Sequence, residues 1–139
     1  MRPTRRGALA MAGALAAAPA LAHGYKRRDL DIRHPWTFEQ EAARPDAQVG
    51  MTLRNNGKQT ERLLRVETRD ADSAEIVAPG GVVEIAPGAS VDLHPKGPHI
   101  LLKGVRKKLV AYDNLFATLI FARAGRVRIE IVVETPPDA

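Results

Sequence analysis

The sequence predicts an all-β domain, a two-sheet sandwich or Greek-key barrel of about seven or eight strands. Two observations lead there. Apolar residues alternate with polar ones at a period of two in several short runs, the pattern of half-buried antiparallel strands. Those runs are separated by Asn, Gly and Pro turn signals, and no stretch after residue 22 sustains a 3.6-residue period.

The runs follow in order. Leu30 and Ile32 alternate with charged neighbours. Val49, Met51 and Leu53 alternate with Gly50, Thr52 and Arg54, and Asn55-Asn56-Gly57 ends that run as a turn. Val82, Val83 and Ile85 precede Pro87-Gly88, and Val91 and Leu93 follow it. Leu115 to Phe121 is apolar on both phases, which suits a central strand. Ala124-Gly125 then turns the chain into Val127, Ile129, Ile131 and Val133, alternating with Arg126, Arg128 and Glu130.

Residues 1–22 read as a secretory signal. Arg2, Arg5 and Arg6 form a basic start, Gly7 to Ala18 is uncharged and apolar, and Ala20-Leu21-Ala22 places small residues where a signal peptidase cuts. The run is too short and alanine-rich to span ~30 Å of hydrocarbon as an anchor. Thr4-Arg5-Arg6 ahead of Leu9 is similar to a twin-arginine signal, and the route, Sec or Tat, stays open. Cleavage after Ala22 leaves residues 23–139 as one domain in the periplasm, with no transmembrane segment. The signal holds three arginines and no acid, so its loss takes the net charge from +5 to +2. The high basicity is therefore poor support for nucleic-acid binding. Cysteine is absent, which rules out disulfides and thiolate metal sites within these residues.

Catalytic constellations are missing. There is no Gly-rich phosphate loop, no HExxH pair and no Gly-x-Ser-x-Gly elbow, so an enzyme is not expected. Arg106-Lys107-Lys108 reads as a solvated turn face or as a docking point for an acidic partner or lipid headgroup. The remaining chemistry lies in four histidines, because imidazole is the commonest side-chain ligand for copper and zinc. His34, before Pro35-Trp36, reads as structural. His94 and His99 flank Pro95-Lys96-Gly97-Pro98, a short loop able to bring two rings together. His23, as a new N-terminus, would chelate through its amine and ring.

Residues 25–134 resemble the PCu(A)C-type periplasmic copper chaperones. Asp29-Leu30-Asp31-Ile32-Arg33-His34-Pro35-Trp36 resembles that family's opening strand, and Val49 to Gly57 its second strand and turn. Ile85 to Leu93, continuing through Gly97-Pro98-His99-Ile100-Leu101 to Val105, resembles its proline-glycine hairpin and His-x-Met strand. Thr118-Leu119-Ile120-Phe121 with Ala124-Gly125 matches the closing hairpin. The resemblance implies a cupredoxin-like fold and a carrier of Cu(I) toward the copper centre of cytochrome oxidase, with a copper-receiving oxidase subunit or another chaperone as partner.

The resemblance also implies a copper site of the form His-x10-Met-x21-His-x-Met, and here the chain departs from it. His99 takes the second His position. Leu101 stands where a Met belongs, Val77 falls on the first Met, and the first His falls near Val66 or Arg69. Met51 lies within a strand pattern and reads as core. Without thioethers, which select Cu(I), the ligands present suit Cu(II) better. The candidate metal ligands are His99 and His94, with His23 a third. The competing reading is a metal-free β-sandwich that serves as a scaffold or partner-binding module.

Overall fold

The computed structural model describes residues 24–137. The expected signal segment 1–22 and His23 lie outside the described residues. Ten strands follow one another: β1 (Gly24–Arg27), β2 (Leu30–Phe38), β3 (Ala47–Asn55), β4 (Glu61–Glu67), β5 (Ala71–Val77), β6 (Val83–Ile85), β7 (Ser90–Leu93), β8 (His99–Val105), β9 (Asn114–Phe121) and β10 (Gly125–Glu134). A 3-10 turn, Pro79–Gly81, lies between β5 and β6. The count exceeds seven or eight because β1, β6 and β7 are only three or four residues long.

The strand order is β5-β8-β3-β2-β10-β9-β4-β6, with β1 on β2 and β7 on β3. All pairs are antiparallel except β2 with β10, which is parallel. The ladder bends into a nearly closed barrel, an all-β cupredoxin-like arrangement. Alternation does the folding work. Val127, Ile129, Ile131 and Val133 of β10 are buried while Arg126 and Arg128 point out. They meet Leu30, Ile32, Val49, Met51, Leu53, Leu115 and Leu119 in one core. As expected, β9 is central, lying between β10 and β4, and Gly125 turns it into β10 with φ 78°, a conformation glycine adopts freely.

The Pro87-Gly88 turn departs from the expected hairpin. Ala89 N donates to Ala86 O, and Gly88 has φ 75°, as a Pro-Gly turn requires. Yet β6 pairs with β4 while β7 pairs with β3. The turn therefore carries the chain from one side of the barrel to the other. It is held there by Gly88 N to Asn55 O and by Asn55 N to Ala89 O.

One feature of β3 positions the candidate site. Met51 to Arg54 pair with β7, whereas Ala47 to Val49 pair with β8. The partner changes at Gly50, and the loop from His94 to Pro98 bridges the fork. A Cβ on Gly50 would lie 2.6 Å from Leu93 O and 2.8 Å from the Trp36 ring, so only glycine lets the indole lie against the fork. Trp36 in turn stands near Phe38, with ring centroids 4.7 Å apart.

Candidate metal centre

The loop at the fork is a tight turn. Gly97 N donates to His94 O and His94 N to Pro98 O, both at 2.8 Å, so the two histidines flank one closed loop as the sequence suggests. Their ring environments differ. His99 is buried at the start of β8, whereas His94 is exposed at the loop entrance.

His99 Nδ1 lies 2.9 Å from Gly97 O. A carbonyl can only accept, so Nδ1 carries the proton and Nε2 keeps its lone pair. Among the described residues, the polar side-chain contact of Nε2 is Gln48 Nε2 at 3.4 Å, a long and weak one. A histidine whose Nδ1–H is fixed by a backbone carbonyl and whose Nε2 lone pair is nearly unused has the arrangement of a metal ligand.

His94 is committed differently. Lys96 N donates to His94 Nδ1 at 3.2 Å, which uses the Nδ1 lone pair and places the proton on Nε2. The ring meets Trp36 edge-on, at 5.6 Å between centroids. Ligation through His94 therefore requires either loss of the Lys96 bond or a change of tautomer.

The positions expected to carry the other ligands are also fixed. Val77 is the direct cross-strand partner of His99, and Leu101, two residues along β8, shares its face and pairs with Gln48 and Glu75. Both are partly buried, and neither is a thioether. Val66 is a core residue of β4 paired with Leu119, and Arg69 lies in the β4–β5 turn. Met51 is 2% exposed and belongs to the core, so its sulfur is not at the surface. Among the described residues no group of three or more His, Cys, Asp or Glu side chains is arranged to hold a metal ion.

The remaining sequence candidates have local partners. His34 sits in the left-handed region at φ 52°, where the β2–β3 register shifts, and its Nε2 lies 2.8 Å from a Glu134 oxygen. That suits the structural reading. Arg106 meets Asp72, Lys107 donates to Asn114 O and Lys108 meets Glu41, as a solvated basic turn does. Sequence reasoning missed Gln48, whose exposed side chain borders His99; its place opposite Leu101 emerges only from the β3–β8 register.

Comparison with known proteins agrees with this geometry. The LpqE-like family model matches residues 30–133. The copper-bound PCuAC domain from PmoF2 is 28% identical, with a TM-score of 0.75 over 82% of this chain and 99% of that domain. The apo PCuAC domain from PmoF1 is also 28% identical, with a TM-score of 0.77 over 82% of this chain and 100% of that one. The solution structure of CuI-DR1885 from Deinococcus radiodurans shares the fold at 19% identity, with a TM-score of 0.61 over 88% of this chain and 87% of that one. No curated protein matches the chain. A match that begins at the first core residue of β2 and runs to Val133 covers nearly all of the barrel, and on that ground the chain belongs to the LpqE-like family and is a PCu(A)C-type protein.

Proposed function

We propose that this chain is a copper-binding, chaperone-like protein of the periplasm, exported by a signal at residues 1–22, with residues 23–139 as its single domain. It is a carrier and not an enzyme. Copper is its cargo, held by imidazole rather than by thioether. His99 is the anchoring ligand, His94 assists, and His23 is a third donor. The receiver is a respiratory oxidase subunit or another copper chaperone.

The observation that carries this reading is the state of His99. Its tautomer is set by Gly97 O, and its Nε2 lone pair faces only the distant Gln48 amide. The likeness to a copper-bound PCuAC domain supports copper as the cargo. The donor set does not fit Cu(I) held by sulfur, since Val77 and Leu101 are aliphatic and Met51 is buried. It fits a borderline ion that takes imidazole, such as Cu(II).

Calorimetry with Cu(II) on the wild type, His99→Ala and His94→Ala tests the reading. The tightest event is lost in His99→Ala and weakened in His94→Ala. Binding falls as pH drops through ~6.5, because ligation needs neutral imidazole. Wild-type affinity in both variants would move the site to His23. A second reading, a metal-free module that binds a partner protein, is favoured by the absence of a three-residue ligand cluster among the described residues. It stands if the wild type shows no binding above buffer competition.

A further inference from the structure

A cleft of about 550 Å³ opens on the outer face of β4, β9 and β10, lined by Glu67, Arg69, Asp70, Phe116, Arg126 and Arg128 among others. It borders the β4–β5 turn, at the start of β5. Val77 and His99 lie at the other end of that strand, about 20 Å away along an extended chain. The cleft is thus separate from the candidate metal centre.

Its charges are unevenly spent. Glu67 meets Arg126 at 2.8 Å and Arg65 at 3.7 Å, so one carboxylate is shared by two guanidinium groups. The hydrogen bond from Arg126 holds Glu67 below the usual carboxylate range. Asp70 accepts from the backbone N–H of Phe116 at 2.8 Å. Glu130, next on the same face of β10, is bonded to Asn114 Nδ2. The nearby carboxylates are therefore committed, while Arg69 and Arg128 have no ion pair among the described residues. Arg128 instead lies over the Phe116 ring, 4.4 Å from its centroid. The floor is firm, because Thr68 Oγ1 donates to Phe116 O while Asp70 takes the Phe116 N–H. On the far side of the turn Arg106 meets Asp72 and donates to Arg69 O, fixing the backbone that carries Arg69.

We infer that this cleft binds a small organic or inorganic anion with at least two acidic groups, carboxylate or phosphate, gripped by the Arg69 and Arg128 guanidinium groups. Guanidinium presents paired donors that match either oxyanion. The volume exceeds what one monovalent anion fills, and Arg126, already half-engaged by Glu67, supplies further positive potential. Arg128 needs to leave only an aromatic face, not a carboxylate, to engage the ligand.

The test is calorimetry of the full chain with citrate and with pyrophosphate at matched ionic strength, with chloride as the control. Both probes report on the shared chemistry, and their ratio tells carboxylate from phosphate preference. Arg69→Gln and Arg128→Gln each weaken binding roughly tenfold or more. Arg128→Lys recovers part of the loss, because it keeps charge but not the fork. Arg54→Gln, on β3 and bonded to Asn56 and Ser90, leaves binding unchanged. If Arg128→Gln alters the melting temperature, Arg69→Gln carries the test, since that side chain lies exposed in a turn. Equal affinity in all variants, or wild-type heats for both probes no larger than for chloride, overturns the proposal. So does binding only of an acidic protein segment, such as a poly-glutamate peptide, with neither small anion bound.

Discussion

Two buried polar clusters differ in how completely they are satisfied. Beside the Asn55–Gly57 turn, Glu61 is 4% exposed and accepts from the backbone N–H groups of Arg62, Arg123 and Ala124. Asn55, 3% exposed, donates to Gln59 O and Ile85 O and accepts from Gly57 N. At the β3 fork His99 is comparably buried, at 7%, yet one ring nitrogen makes only a 3.4 Å contact. A buried polar group normally has its hydrogen bonds completed. Glu61 and Asn55 are completed and hold the barrel together; His99 is incomplete and is available for chemistry.

The comparison breaks first if Glu61 is dispensable. Glu61→Ala takes the acceptor from three backbone N–H groups, the buried one of Ala124 among them, and β4 is no longer tied to the β9–β10 turn. The expected loss is about 3 kcal/mol of unfolding free energy by urea titration. His99→Ala removes a single backbone-directed bond, and its loss is about 1 kcal/mol. Similar costs for the two substitutions would erase the distinction between a structural and an available polar group.

Gly50→Ala addresses the fork itself. The new methyl would collide with Leu93 O and the Trp36 ring. The cost is about 2 kcal/mol, from displacing either the backbone or the indole. Tryptophan fluorescence shifts with it, because Trp36 is the single tryptophan.

Much of this architecture is legible in the sequence. Strands β3 and β10 show clean alternation because each has one face in the core, β2 alternates only at Leu30 and Ile32, and β9 shows as an apolar run. The turn at Asn55-Asn56-Gly57 was visible as turn chemistry, and Met51 was readable as core from its place in the alternation. Strand β4 was not legible. Its register shifts between Leu63 and Arg65, so Leu64 and Arg65 both face outward and the period breaks. Its first inward residue is Glu61, which no hydrophobic pattern would place inside. Strand β5 was silent for another reason: it ends the sheet order and buries fully only Ala71. The Pro87-Gly88 turn looks the same in sequence whether the following strand returns to its neighbour or crosses the barrel. At the candidate site, the histidines could be named from the sequence, but the tautomers that separate His99 from His94 depend on Gly97 O and Lys96 N.

A smaller effect is expected at the sheet's first strands, β1 and β2. Burial pushes the Asp31 carboxyl up, and its bonds to Lys26 and Arg33 more than offset that, leaving it below the usual range. A lowered carboxylate stabilises the fold fully above the unfolded value near ~3.9, and the contribution is lost as pH falls through the lowered folded value. Asp31→Asn therefore costs about 1 kcal/mol at pH 7, and the gap to wild type closes as pH falls through the lowered folded value. A gap that persists at pH 2 would mean that Asp31 acts through packing rather than charge.

The central claim is that this PCu(A)C-type chain holds copper through His99 without thioether support. Competition for Cu(I) against a tight chelator tests it most directly, run on the wild type and on the Val77→Met/Leu101→Met double variant. Both substitutions lie on partly buried positions beside His99, where an unbranched side chain is tolerated. The account predicts that the wild type surrenders Cu(I) to the chelator and that the double variant retains it at least roughly tenfold better, since thioethers select Cu(I). Retention of one equivalent of Cu(I) by the wild type under strong competition would contradict it.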